Sequence, residues 1–396
     1  VTGFPLTDIS PTLRIDNISA DAARGGWEMR MTALRDTDVL EHNQNVVLGL
    51  RGMFGSGTPE THWRTAFDGH VLPTQFTFDR KASLATFLAQ TSDGFLRNGW
   101  LQGIHFRDTN AVARLNYHRF DAVTGGGERM TMGRIVRHLL GYYDQLGNPP
   151  VTNPDWVAHT NLVYHATQNP LGWINLDNVT TIPFASPGTP NGSMRVDRYI
   201  VRETRNLWTT IQDIAKNEFF VAYFTKDNYL HYKRHPMFDA VPPLPVMTFD
   251  EGFCIGKPTV NVRTDRIYQV KLHAVQDDGT TIHSTYPTNV VHVYGDVEER
   301  TYIRCNDQDT LDWWAEVLYG WLNRPYSVSW TAPGLAGLLF EMHDPVYITY
   351  TGTTENGVHI DWTDQKFWIH EIRIDPMTGF TGRSTFTLEA DYGMAP

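Results

Sequence analysis

Cysteine is scarce: Cys254 and Cys305 are the only two in 396 residues, and neither belongs to a Cys-x-x-Cys spacing. With no disulfide framework or cysteine metal site to organise the chain, two ordinary thiols are expected. Charge is thin as well, at 19% of residues, and it leans acidic, with a formal net charge of -11. A protein whose task is to grip phosphate presents dense Lys and Arg faces, so that class is disfavoured; DNA sliding past an acidic wall is not excluded. No apolar run approaches the ~18 residues of a membrane span, and residues 1–10 lack the basic start and apolar core of a signal peptide. The chain does not begin with Met, so trimming stays open.

Catalytic signatures are missing too. There is no phosphate loop, no Gly-x-Gly-x-x-Gly turn after a strand and no Gly-x-Ser-x-Gly elbow, and Gly125-Gly126-Gly127 reads as a flexible turn before a helix. Among sixteen histidines, His231 and His235 are four apart. They flank a strand end and precede Pro236, so they do not share a helical face as zincin-type ligands must. Alternation across 358–362 puts His359 and Asp361 on one face and Val358, Ile360 and Trp362 on the other, which reads as a solvated strand face. Asp361, Asp364, Glu371 and Asp375, near Trp362 and Trp368, are the candidates for a paired-carboxylate sugar site. A secreted carbohydrate-active or carbohydrate-binding β-protein is therefore the alternative reading.

What the chain does have is apolar and aromatic material, 41% and 12% of residues, enough for two or three domains. Its clearest stretch is 302–350. Asn306 or Asp307 can cap a helix over 307–322 in which Leu311, Trp314, Ala315, Leu318 and Leu322 share a face. Arg324-Pro325 stops it; a strand at 327–331, a Pro333-Gly334 turn and a strand at 346–350 follow. Such a helix needs a sheet to lie on.

Upstream, 13–34 with a Gly25-Gly26 turn, 46–50, 63–72, 75–78 and 84–91 read as short strands. A helix is expected over 130–143, and another after Thr204 with Leu207, Ile211, Ile214 and Ala215 on its face. That helix runs into a hairpin over 219–232 turning at Lys226-Asp227-Asn228. Residues 147–192 are crowded with Pro, Asn, Thr and Gly, a surface insertion holding Trp156, Tyr164 and Trp173. Beyond the Pro-rich boundary at 240–245, strands are expected over 257–275, 281–293, 357–362, 366–374 and 384–390.

The two β-rich ends echo each other at an offset near 300. Residues 46–50 match 346–350, Trp63 corresponds to Trp362, and Phe67 and His70 align with Phe367 and His370. Thr86-Phe87-Leu88-Ala89 with Asp93 resembles Thr385-Phe386-Thr387-Leu388 with Asp391 after a shift of one or two residues. Either the chain is duplicated or two β-domains share strand-turn chemistry. The expected fold is α+β, mainly β. Residues 1–98 form one β-domain, 99–245 an α+β insert with the excursion 147–192, and 246–396 a second β-domain carrying helix 307–322.

The helix and hairpin at 204–232, the helix 307–322, the Pro333-Gly334 turn leading to the Asp344-Pro345-Val346 strand, and the closing strands through Asp391 resemble the baseplate hub or tail-tip hub proteins of tailed bacteriophages. The resemblance implies two tail-tube-like domains per chain and a homotrimer forming a pseudo-sixfold ring in the virion. It also implies partners: the tail tube or distal tail protein above, and a central spike, fibre or tip protein below. A tape-measure protein and DNA would pass through the lumen, the DNA without specific binding. The implied chain is structural, with no enzyme activity, catalytic residue, cofactor or metal. The iron-sulfur cluster of some relatives needs more cysteines than Cys254 and Cys305, and 147–192 is at most a small attachment surface.

Overall fold

The computed structural model describes residues 13–34, 45–50, 64–71, 77–79, 84–98, 117–120, 130–140, 178–180, 192–196, 199–202, 206–239, 242–264, 266–276, 279–288, 296–302, 305, 307–376 and 382–391. The chain opens with strands β1 (Leu13–Asp21), β2 (Gly26–Leu34), β3 (Asn45–Leu50), β4 (Arg64–Val71), β5 (Thr77–Asp79) and β6 (Leu84–Gln90), then helix α1 (Asp93–Asn98). Two small ladders follow, β7 (Tyr117–Phe120) with β10 (Tyr199–Arg202) and β8 (Met130–Thr131) with β9 (Arg195–Val196), around α2 (Met132–Leu139). Helix α3 (Leu207–Asn217) leads into the hairpin β11 (Phe220–Phe224) and β12 (Leu230–Arg234).

The last third holds β13 (Thr248–Phe249), β14 (Thr259–Val262), β15 (Ile267–Val275), β16 (Thr281–Tyr286), β17 (Asp296–Tyr302), α4 (Gln308–Leu322), β18 (Tyr326–Pro333), β19 (Pro345–Thr353), β20 (His359–Asp375) and β21 (Arg383–Ala390). Asp307 caps α4, its Oδ2 accepting from the Thr310 N–H at 2.9 Å. Leu311, Trp314, Ala315 and Leu318 are buried as the spacing predicts, whereas Leu322 is only half-buried. The sheet this helix lies on is the three-stranded β16-β15-β17, against β15 and β16. The alternation of β15 presents Val270, Leu272 and Ala274 to that core. β17, which pairs parallel with β15, has no counterpart in the sequence reading.

The main sheet runs β14-β18-β21-β20-β1-β2-β6-β4-β3, with β19 beside β20. Its two ends have one plan. The order β1-β2-β6-β4, with β3 beside β4, repeats as β14-β18-β21-β20, with β19 beside β20, and each of these neighbours is antiparallel. Register agrees with the order: Thr32 faces Thr86 and Met31 faces Phe87 in the first unit, while Thr331 faces Thr385 and Trp330 faces Phe386 in the second. On β4 and β20 the ladders equate His70, opposite Gln90, with Trp368, opposite Glu389. That is two residues from the match of His70 to His370, which falls at the bulge between Ile369 and Glu371. The four-strand units fall within 1–98 and 246–396.

β1 then pairs with the far half of β20, Ile18 opposite Ile374 and Ala20 opposite Ile372, so the units meet edge to edge in one sheet. One core runs behind both, from Trp27, Met29, Phe67 and Phe87 to Trp330, Phe367, Ile372 and Phe386. In the first unit a four-residue turn links β1 to β2; in the second the same link is drawn out into β15, β16, β17 and α4.

Three local expectations are corrected. β20 is one strand, not two over 357–362 and 366–374: Asp364 takes φ 50 and the ladders shift register near Tyr350 and Glu371, so bulges absorb the polar stretch without ending the strand. The cap of α3 is Asn206, whose Oδ1 accepts from the Thr209 N–H at 2.7 Å; Thr204 lies outside the described residues. Helix α2 covers only Met132–Leu139, with Leu140 buried just beyond; Tyr143 is outside the described residues.

Candidate functional site

Strand alternation gives the main sheet one face sealed on the core and one polar face. Registers carry a row across the polar face: Thr331, Thr385, Arg373, Ser19, Glu28, Gln90, His70. A second row runs Thr259, Ser329, Thr387, Glu371, Asp21. Both rows pass through the β20–β1 joint without a break. The strands of the two units contain no lysine apart from Lys366 on the near half of β20.

The charges here are held by neighbours on the same face. Thr32 donates to Asp16 at 2.6 Å, Gln90 Nε2 to Glu28 at 3.3 Å, and Thr387 to Glu371 at 3.2 Å. Arg24 pairs with Glu28, and Arg373 and Arg383 reach Asp375 at 3.2 and 3.3 Å. At the rim, Glu389 takes Arg263 at 2.7 Å and Arg324 at 3.0 Å. Burial, then Asp227, pushes Asp68 up to about 6, and burial holds His70 down at about 4. Hydroxyls and self-paired charges make a wall with little fixed positive charge to hold an anion.

The insert is clamped to this sheet at the β1–β2 turn. Gly25, at φ 75, accepts from the Phe224 N–H at 2.9 Å, and Trp208 Nε1 donates to the Arg24 carbonyl at 2.8 Å. Glu341 ties three parts together, accepting from Trp27 Nε1 at 3.0 Å and the Lys226 N–H at 3.2 Å, with Lys226 Nζ 3.7 Å away. Burial pushes its carboxyl up to about 7.

The carboxylates proposed for sugar chemistry do not converge. Asp361 and Asp364 are exposed and bond Thr351 and Thr349, Glu371 is exposed beside Thr387, and Asp375 is engaged by two arginines. Asp361 and Glu371 are ten residues apart on β20, about 30 Å at strand rise, against the roughly 5–10 Å that glycoside cleavage uses. His359 and Asp361 are exposed and Ile360 and Trp362 buried, as alternation requires. Gly125 to Gly127, and all of 147–192 except 178–180 and 192, lie outside the described residues.

No group of three metal-ligating side chains, with or without His231 and His235, occurs among the described residues. His235 belongs instead to an aromatic cluster that sequence reasoning missed: its ring lies 4.8 Å from His343 and 5.1 Å from both Trp321 and Trp368. Its Nδ1 accepts from the Met237 N–H at 3.1 Å. Burial first, then the neighbouring cations, holds His235 well below its usual value and His343 down at about 3. Cys254 is half-buried and Cys305 buried, both free thiols.

Set against solved structures, the chain superposes over nearly its whole length on three proteins of bacterial origin. The tail protein from Neisseria meningitidis MC58 aligns with TM-score 0.56 and 11% identity over 96% of both chains. The fold is that of phage tail proteins. The prophage tail protein gp18 from Listeria monocytogenes EGD-e follows at TM-score 0.50 and 12% identity, covering 96% of this chain and 88% of that one. The 43 kDa tail protein of prophage MuSo2 from Shewanella oneidensis gives TM-score 0.50 and 11% identity over 95% and 93%. No family model and no curated protein matches the sequence. At such identities few side chains are shared, and the likeness is one of fold.

Proposed function

We propose that this chain is a structural hub of a phage tail tip or baseplate, resident in the virion, and that three copies close into a ring. One observation carries the reading: two four-strand units of the same order and hand are joined edge to edge in one chain. A joint that works once between units can work again between chains. Three chains then give six near-equivalent units on a threefold axis, the symmetry needed where a sixfold tube meets a threefold spike, fibre or tip.

The size suits the task. Three times eight strands, at about 4.8 Å each and tilted as barrel strands are, enclose a ring about 40–50 Å across between backbones. That leaves room for duplex DNA, and for a tape-measure protein before it. The polar face of the sheet would line this lumen, and with Lys366 its one strand lysine and Arg14, Arg373 and Arg383 paired to carboxylates it limits the counterion release that makes proteins stick to DNA. In this reading 1–98 and 246–396 are the two tube-like domains, 99–245 is the insert outside them, and the chain has no catalytic task.

Imaging the purified full-length chain tests this. Class averages should show a ring with six similar lobes and true threefold symmetry, and native mass should be three chains. A protein that stays monomeric at every concentration, and in particles, would refute the proposal.

A further inference from the structure

We propose that the outer edge of β14 is where a second copy of this chain joins the sheet, and that Asn356 occupies that edge in the lone chain. The inference rests on the ring reading above and names the edge that closes the ring. By strand order β14 is the counterpart of β1. β1 is paired on both sides, with β2 and with β20. Among the described residues β14 is paired only with β18.

Two features mark its other side as a place for a strand. The first is a side chain acting as backbone: Asn356, in the turn between β19 and β20, accepts from the Val260 N–H at 3.2 Å and donates Nδ2 to the Val260 carbonyl at 2.6 Å. Just before it, the Glu355 N–H bonds the Pro258 carbonyl at 3.0 Å. A primary amide that satisfies both groups of one residue reproduces what a neighbouring strand supplies. Ladder alternation aims the N–H and C=O of Val262 at the same edge, and among the described residues no side chain caps them.

The second feature is apolar. Val260 and Val262 share the core side of the sheet, yet Val260 is fully buried while Val262 is 46% exposed. At the joint inside the chain the corresponding side chains are sealed: Ile18 and Ala20 of β1 lie opposite Ile374 and Ile372 and are 2% and 1% exposed. Val262 has the surface of a joint residue without its partner. The occupant that fits is the first unit of another copy, because that unit offers β5: Thr77 and Phe78 lie opposite Thr86 and Ala85 as Arg373 and Ile374, in the half of β20 that holds β1, lie opposite Thr385 and Ser384. Asn356 then shields the edge of the lone chain against indiscriminate strand addition, as natural edge strands require.

The test uses the full-length chain, followed by sedimentation across a concentration series and by imaging. Val262→Lys places a charge on the edge at a half-exposed position, so folding is retained and the assembly midpoint should move to about tenfold higher concentration or more. Asn356→Ala opens the edge and should move the midpoint the other way, checked beside an unchanged circular-dichroism spectrum. If the wild-type protein forms threefold rings and both variants assemble as it does, the joint lies elsewhere; this inference fails and the ring reading survives. If the wild-type protein forms no ring, both fall.

Discussion

Removing His343 should make the stability cost of the change depend on pH, by an amount the burial of this side chain determines. His343 is 7% exposed, stacks edge-on with His235 at 4.8 Å and Tyr223 at 4.9 Å, and takes φ 67. The groups facing it are cationic or neutral: His370, Lys233, Arg324 and His231. Burial first, then these charges, lowers it from 6.5 in the unfolded chain to about 3 in the fold. The unfolded chain takes up a proton near pH 6.5, while the folded one refuses it until about pH 3. Stability from this group is thus full above 6.5 and is lost as pH falls. At pH 5 the loss is 1.5 pH steps, about 2 kcal/mol.

Asparagine is the suitable replacement, since it does not titrate and tolerates the left-handed backbone. The assay is urea unfolding of wild type and His343→Asn at pH 8 and pH 5. Packing lost on substitution is common to both conditions and cancels. Glu218 and Glu341, both raised to about 7 by burial, gain stability on acidification, but they do so in both proteins. The gap between the two proteins should therefore shrink by about 2 kcal/mol from pH 8 to pH 5. A gap that stays constant would refute the burial argument for the whole cluster.

Gly25→Ala should destabilise the chain by about 2 kcal/mol or more in the same assay, because Gly25 has φ 75 and an added Cβ would lie 2.7 Å from both the Ala222 carbonyl and the Trp208 ring. Equal stability would mean that the β1–β2 turn is not clamped by the insert. Asp307→Ala removes the cap of α4 and should cost about 1 kcal/mol, with Asp307→Asn recovering most of it. A loss in Asp307→Asn as large as in Asp307→Ala would assign the effect to charge and not to the cap.

How much of this was legible depended on the range of the interaction. Helix α4 could be read because its cap and its buried face lie within sixteen residues. The hairpin β11–β12 was legible in the same way, from a turn flanked by two short apolar runs. The histidine cluster had no such signal: residues 231 and 235, 343, and 370 meet only after three separate parts of the chain have packed. The polar run Thr363-Asp364-Gln365 reads as a turn, but it is a bulged part of β20, whose pairing on both flanks decides the matter.

The shared strand plan of the two units stands between these cases. Thr86-Phe87 and Thr385-Phe386 betrayed it in the sequence because both pairs must put a threonine on the polar face and a phenylalanine in the core at the same rung. The joint of β1 with β20 left no trace there, since pairing of backbones about 350 positions apart requires alternation and no particular letters. The absence of a twin for α4 now has a cause. The link that is a four-residue turn in the first unit holds β15, β16, β17 and α4 in the second, so α4 distinguishes the two kinds of unit in any ring they form. If six units surround one axis, that helix occurs at every second one, and a threefold image should carry its density at alternate lobes.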